Sequence, residues 1–257
     1  DRPGFRDLSR EFSRLAEERG LGVLTGPPGA GKTAAIRNLC QALPAPEHRI
    51  LYLCDTAVAP LDLYRMLAIE LGVTPSHRRS QLWHDIKKTL AHIVDEQGTV
   101  PVVIIDEAQH LSDRFLVDLG GFLNFAFDSR DLLAMWLVGM PPLLRHLRMQ
   151  QHTALAMRVQ VHVHIEPLSR ADFAALIEHA MRTAGTTERV LAEPALEMLF
   201  RSSRGLPRVA SKLLRAALRL AHERNQSFVD EHTLQSATEQ MAFAADTPTE
   251  RKERAAT

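Results

Sequence analysis

Short apolar runs alternate with amphipathic stretches over the first two thirds of the chain, a rhythm that predicts βα units around a mainly parallel sheet. Five runs read as strands: 21–25, 50–54, 101–105, 133–138 and 159–165. Between them Leu82, Ile86, Leu90 and Ile93 recur at helical spacing, and Leu61, Leu63, Leu67 and Leu71 do so more loosely. Pro44-Ala45-Pro46 ends the helix that follows the first strand. Gly120-Gly121 lies in an otherwise helical stretch, where each glycine costs about 1 kcal/mol relative to alanine, so a break or a close approach is expected. After Pro167 the strand signals stop. Residues 170–184, 193–203, 207–224 and 230–241 read as four helices, with Ser169 and Asp230 as N-caps of the first and last. Residues 244–257 are polar and without periodicity, the pattern of a disordered tail. The expected architecture is an α/β base over 1–168 and a helical lid over 169–243.

Composition narrows the function classes. The 257 residues carry no net formal charge, so no global field drives the chain onto nucleic acid or membrane, and any such contact needs a local patch. Cys40 and Cys54 fit buried, reduced thiols better than a disulfide framework. No apolar run approaches the roughly 20 residues that span a bilayer, and no signal-peptide pattern appears. A soluble, cytoplasmic protein without membrane contact is expected.

The candidate chemistry sits in four places. Gly26-Pro27-Pro28-Gly29-Ala30-Gly31-Lys32-Thr33 matches G-x-x-x-x-G-K-[ST], directly after a strand-like run and before a helical pattern. Such a loop answers phosphate charge with backbone N–H groups and a helix N-terminus. Lys32 would supply a point charge to the β/γ oxygens, and Thr33 a hydroxyl to Mg²⁺. Asp106 and Glu107 end the β-branched run Val102-Val103-Ile104-Ile105, at the edge where open α/β sheets bind ligands. Asp106 would hold Mg²⁺, and Glu107 would orient or deprotonate the attacking water. Gly205-Leu206-Pro207-Arg208 places proline at helix position N1 and an arginine in the first turn, suited to closing onto the γ-phosphate. Arg158, before the last strand, is either a surface arginine or a cation reaching a neighbouring subunit's nucleotide; Arg145 and Arg148 are rivals for that role.

These residues resemble the AAA+ ATPases, specifically the ExeA-like branch, over about 3–241. The carriers are Gly26–Thr33, Asp106-Glu107-Ala108-Gln109-His110-Leu111, Leu123-Asn124-Phe125, Leu137-Val138-Gly139 and Gly205–Arg208. The resemblance implies a P-loop AAA+ fold with a five-stranded mainly parallel sheet and a C-terminal helical lid. It implies ATP and Mg²⁺ as cofactors, Lys32 and Thr33 as Walker A, and Asp106 and Glu107 as Walker B. It further implies Arg158 as a finger acting in trans, Arg208 as sensor 2, and Phe5 and Arg6 against the adenine. Two departures stand out. Met140 occupies the sensor 1 position, where relatives usually place Gln, Thr or Asn, and methionine is a poor hydrogen-bonding group. After the second strand come Asp55 and Thr56, neither of which is assignable as a polar switch residue.

ExeA-like domains occur in secretion-associated ATPases that continue into membrane and wall-binding parts. They also occur in compact transposition regulators of the TnsC, TniB, MuB and IstB type, which assemble on DNA with ATP. The sequence shows only a short polar tail after its last helix, so a DNA-dependent regulator of target selection, working with a transposase as a ring or filament, is expected. The alternatives are a secretion-assembly ATPase domain and a nucleotide-gated scaffold with little turnover. Arg208, Lys212, Arg215 and Arg219 share one helix face, with Arg204 just upstream. That stripe suits either nonspecific double-stranded DNA or an acidic surface, such as 95–131, on a neighbouring subunit. Few aromatics interleave it, so base readout is not expected.

Overall fold

The computed structural model describes residues 3–125, 130–186 and 190–246; the tail expected over 244–257 lies outside them from residue 247 onward. The described part of the chain forms two compact units, Asp1–Glu166 and Pro167–Thr257.

In the first unit five strands form one sheet: β1 Gly20–Thr25, β2 His48–Leu53, β3 Val100–Ile105, β4 Ala134–Gly139 and β5 Val159–His164. Their order is β2-β3-β4-β1-β5, and every neighbouring pair is parallel. β1, β4 and most of β3 are buried throughout, whereas the edge strands β2 and β5 mix buried with exposed positions. That is why the central strands read as continuous apolar runs. β2 starts two residues earlier than its apolar pattern, because the edge ladder recruits polar His48 and Arg49 through pairing with Val100 and Pro101.

The pleat sends alternate residues to opposite faces. Leu21, Val23, Val103, Ile105, Met135 and Leu137 share a core with α3 (Pro60–Glu70), α4 (Arg79–Asp95) and α5 (Asp113–Phe122). Leu82, Ile86, Leu90 and Ile93 are buried on the sheet-facing stripe of α4, as their spacing predicts. Tyr64, Trp83, Phe115 and Phe122 pack their rings at centroid distances of 5.0–5.5 Å. On the other face α1 (Pro3–Glu18) lays Phe12 on Trp136 of β4, with ring centroids 5.7 Å apart. Gly22 pairs with Trp136 across the ladder, and a Cβ there would lie 2.8 Å from both the Trp136 ring and Leu15. Glycine at this position makes room for the indole.

At Gly120-Gly121 no break forms, since α5 runs on through both glycines to Phe122; the contacts there are of ordinary length, and a Cβ on Gly121 would meet nothing within 4 Å. A Cβ on Gly120 would come within 3.5 Å of the Leu155 amide, in α7 (Thr153–Ala156). The cysteines need one correction. Both are free thiols, but Cys54 is exposed, since it lies just past the end of an edge strand; Cys40 is half-buried, and desolvation pushes its thiol up to about 11.

The second unit holds α8 (Arg170–Thr183), α9 (Glu193–Ser203), α10 (Pro207–Glu223) and α11 (Glu231–Asp246). Phe173, Leu199, Leu213, Leu214, Val229 and Leu234 are among its core residues. Ser169 Oγ accepts from the Asp172 amide at 3.2 Å, and Asp230 Oδ1 accepts from the Thr233 amide at 2.8 Å, so both expected N-caps form. α11 continues to Asp246, past the expected helix end at 241. Alanines 242, 244 and 245 favour helix without any apolar period to announce it.

Candidate nucleotide-binding site

The 26–33 octet occupies the turn between β1 and α2 (Lys32–Ala42). Gly29 and Gly31 have φ of 80° and 96°, values glycine adopts without steric cost. Gly26 is required for a different reason: a Cβ there would lie 2.5 Å from the Ile165 carbonyl oxygen, just past β5. Gly31 caps α2 without a side-chain hydrogen bond, at a helix N-terminus of the kind that favours an anion. Lys32 Nζ donates to the carbonyls of Gly26 at 2.9 Å and Pro27 at 3.1 Å, so the ammonium stands over the same loop. At the loop's root, Thr25 Oγ1 bonds His162 at 2.8 Å and His164 at 2.9 Å on β5.

The strand order puts β4 between β1 and β3, so the P-loop and the Asp106-Glu107 pair meet across the carboxyl edge of the sheet. Thr33 Oγ1 donates to Asp106 Oδ2 at 2.7 Å, joining two segments 73 residues apart. Tyr52 of β2 donates to the same oxygen at 3.0 Å. Burial first, and then the Asp106 charge, push the Tyr52 hydroxyl above its ordinary value, which keeps it a neutral donor. Asp106 Oδ1 accepts the Glu107 amide at 2.8 Å, so the buried carboxylate is bonded through both oxygens. A carboxylate and a hydroxyl in contact make a hard, oxygen-only donor set, which fits Mg²⁺.

Glu107 is exposed and left-handed, with φ 53° and ψ 35°, a conformation that costs a side-chain-bearing residue energy. Its carboxylate accepts from Gln109 Nε2 at 2.7 Å. Gln109 Oε1 in turn accepts the Met140 amide at 3.0 Å, at the end of β4. Met140 itself brings no side-chain hydrogen bond, yet a carboxamide reaches that place from the neighbouring strand's loop. Gly139 is part of this arrangement, since a Cβ there would lie 2.7 Å from Gln109 Oε1. Thr56, nearly fully buried, donates to the Glu107 carbonyl at 2.9 Å, whereas Asp55 points to solvent. Of the two residues the sequence left unassigned after β2, it is therefore Thr56 that touches the Asp106-Glu107 segment.

Sequence reasoning missed Gln109, Thr56 and Tyr52. Gln109 was visible only as part of Asp106–Leu111; the short 3-10 turn at Ala108–His110 folds its side chain back toward Glu107. Tyr52 sat within a strand and carried no signal at all.

The remaining predicted residues are placed as follows. Phe5, half-buried, and Arg6 lie in the first turns of α1, whose Gly4 packs against the carbonyl of His164. His164 pairs with Thr25, so the start of α1 reaches the same sheet edge as the P-loop. Arg158 lies at the opposite edge, just before Val159, which pairs with Leu21. It borders a cleft with Arg130, Asp131, Met157 and Gln160. The six residues of β5 separate it from its own P-loop end by about 20 Å, at 3.3 Å per residue. Arg145 and Arg148 are exposed after the carboxyl end of β4, in and just after α6 (Pro142–Leu147). Arg208 is exposed in the first turn of α10, in the second unit. Gly205 before it has φ 69°, and a Cβ there would lie 2.4 Å from the Leu168 carbonyl oxygen.

A glycine phosphate cradle, a Thr–Asp oxygen pair and a second carboxylate on a β3-β4-β1 edge define a P-loop nucleotide-binding protein. The chain belongs to the AAA domain family, which matches residues 14–147. It is similar to General secretion pathway protein A of Aeromonas hydrophila, with 32% identity over 213 residues, which supports the ExeA-like branch. That match covers 82% of this chain but only 38% of the relative. Among solved structures, Cdc6p from Pyrobaculum aerophilum superposes with a TM-score of 0.73 at 17% identity, covering 92% of this chain and 65% of that one. The Aeropyrum pernix ORC1 protein in complex with DNA gives 0.71 at 16% identity, over 93% of this chain and 64% of that one. The Thermotoga maritima RuvB Holliday junction branch migration motor gives 0.60 at 17% identity, over 91% and 68%. At such identities these structures establish the AAA+ fold. Among the described residues no helix is long and apolar enough to cross a membrane.

Proposed function

We propose that the protein is a DNA-dependent AAA+ ATPase that assembles on duplex DNA with ATP and Mg²⁺ and regulates transposition target choice by recruiting a transposase. Gly26, Pro27, Pro28, Gly29, Ala30, Gly31 and Lys32 would hold the phosphates, and Thr33 with Asp106 the Mg²⁺. ATP bound there supplies the phosphoryl bond to be cleaved. Glu107, held by Gln109, faces solvent where an attacking water would stand, and its carboxylate can accept the proton that water loses. Phe5 and Arg6, in the first turns of α1, would meet the base, as the resemblance implies. Arg208 would be the sensor 2 cation that the resemblance implies.

The distance of Arg158 from its own P-loop edge favours a trans role, because only a neighbouring subunit's nucleotide would be within its reach. Met157 beside it is 83% exposed, an apolar side chain suited to burial against that neighbour. Self-association into a ring or filament follows.

The observation that carries the DNA step is the outer face of α10. Arg208, Lys212, Arg215 and Arg219 are exposed opposite the buried stripe Ala210, Leu213, Leu214, Ala217 and Ala221, and Arg204, exposed at the C-cap of α9, lies just upstream. Among the described residues none of the five cations has an acidic partner, so their charge is available to a phosphate backbone. Imaging the protein with a slowly hydrolysed ATP analogue, with and without duplex DNA, tests the proposal. Rings or filaments on DNA only with nucleotide are expected. Affinity should fall steeply with salt, by a slope of roughly 0.9 per phosphate neutralised. Lys212→Glu combined with Arg215→Glu should abolish DNA-bound assemblies while ATP binding persists; unchanged DNA binding by this variant would refute the assignment.

A second reading, ATP-driven assembly in secretion, is favoured by the similarity to General secretion pathway protein A. Particles and turnover indifferent to DNA are its expected signature.

A further inference from the structure

Away from the nucleotide site, three side chains from three elements converge on one point. Asp113 is the first residue of α5, His146 lies in α6, and His152 ends the short 3-10 turn at Gln150–His152. Asp113 Oδ1 lies 2.5 Å from His146 Nε2 and 3.0 Å from His152 Nε2. Their potential ligand atoms all lie within 4.8 Å of one another. The two imidazoles meet at 90° with centroids 5.3 Å apart, and each aims its Nε2 at the same carboxylate oxygen.

Burial makes this more than a surface ion pair. The His152 side chain is fully buried, and its Nδ1 has no hydrogen-bond partner among the described residues. The ring is therefore held through Nε2 alone, at the point where His146 and Asp113 meet. Gln151 Nε2 also lies 3.3 Å from His152 Nε2, and amide orientation is interchangeable, so its oxygen can face the same point. The Asp113 carboxylate is not consumed by helix capping, because Ser112 already accepts the Phe115 amide at 3.3 Å.

We propose that Asp113, His146 and His152 form a binding site for a zinc-type divalent cation. Two imidazoles and one carboxylate are a borderline donor set that suits zinc-type ions over Mg²⁺ or Ca²⁺. In a tetrahedral site with bonds of about 2.05 Å, ligand atoms lie about 3.3 Å apart. The observed separations of 2.5 and 3.0 Å reach that value with sub-ångström outward shifts of Asp113 and His146, the two more exposed members. The fourth position faces the exposed side of Asp113 and is open to water or to the Gln151 oxygen. A bound cation would tie α6 and the 150–152 turn to the start of α5. The turn leads through α7 to Arg158, so the cation would stiffen the segment that carries this arginine.

The test uses the full chain, chelator-stripped and free of nucleotide, titrated with Zn²⁺ by calorimetry and with Co²⁺ by visible absorption. One Zn²⁺ per chain and a tetrahedral Co²⁺ spectrum are expected. Because His152 is buried and its replacement risks the fold, the informative variants are His146→Ala and Asp113→Asn. Each should weaken Zn²⁺ binding more than ten-fold and remove the rise of several degrees in Tm that Zn²⁺ gives the parent protein. His92→Ala, at an exposed histidine on α4, should bind like the parent. Absence of one-to-one binding, or equal affinity in His146→Ala, would overturn the site and leave the cluster as a hydrogen-bonded His–Asp–His group.

Discussion

Glu107 offers a test that separates backbone strain from catalytic role. Its backbone is left-handed at φ 53° and ψ 35°. Its amide bonds Asp106 and its carbonyl accepts from Thr56, and both contacts survive any change of side chain. The side chain adds one hydrogen bond, to Gln109, on an exposed group. Comparing Glu107→Gly with Glu107→Ala removes that bond from both variants and isolates the backbone term. A left-handed residue bearing a Cβ costs roughly 1–2 kcal/mol. Glycine returns about 0.5–1 kcal/mol of this through its freer unfolded chain. The glycine variant should therefore be the more stable by about 0.5–1 kcal/mol. At about 2–4 °C per kcal/mol for a unit of this size, its Tm lies roughly 1–4 °C above that of the alanine variant by scanning calorimetry. Both variants should bind ATP and release phosphate at a hundredth of the parent rate or less, the scale of losing a general base. A Tm for Glu107→Ala equal to or above that of Glu107→Gly would refute the strain argument. Parent-like phosphate release by either would remove Glu107 from the chemistry.

Lys32→Ala should lose ATP binding and nucleotide-dependent assembly together, and tight binding of a fluorescent ATP analogue would refute the P-loop role. Gly26→Ala forces a Cβ to 2.5 Å from the Ile165 carbonyl, so the loop or the exit of β5 must shift. A loss of about 1–3 kcal/mol in denaturant unfolding, with weaker ATP binding, is expected; parent-like values in both would show that the loop yields freely. Arg158→Ala should lose hydrolysis and regain it in mixtures with Lys32→Ala subunits, whereas failure of rescue at every mixing ratio would exclude a trans finger. Trp136→Ala empties the space between Phe12 and Gly22 and should cost about 3–5 kcal/mol in denaturant unfolding, and a loss under 1 kcal/mol would mean that the two flanking elements collapse into the gap.

The chain's own pattern determined the elements and the chemistry of the phosphate loop. β1, β3 and β4 were legible because burial on both faces demands unbroken apolar runs, and the helices because one buried stripe imposes a 3.6-residue period. Gly26–Thr33 and Asp106-Glu107 were legible because local backbone geometry and charge need those residues in that order. The edge strands were read less well: β2 borrows polar residues through pairing, a property of its neighbour and not of its own sequence. The end of α11 was missed because the helix propensity of its alanines announces itself by no apolar period.

Only the tertiary structure decided which distant residues meet. The position of β4 between β1 and β3 sets Met140 beside the Asp106-Glu107 turn, and the 3-10 turn at Ala108–His110 brings Gln109 to bridge Glu107 and the Met140 amide. Tyr52 reaches Asp106 because parallel neighbours end at a common edge. Asp113, His146 and His152 converge because three short elements pack end to end, with no spacing rule linking positions 33 and 39 residues apart. A local motif is written in consecutive residues, so sequence shows it; a contact across the sheet depends on strand order and packing, which no single segment encodes.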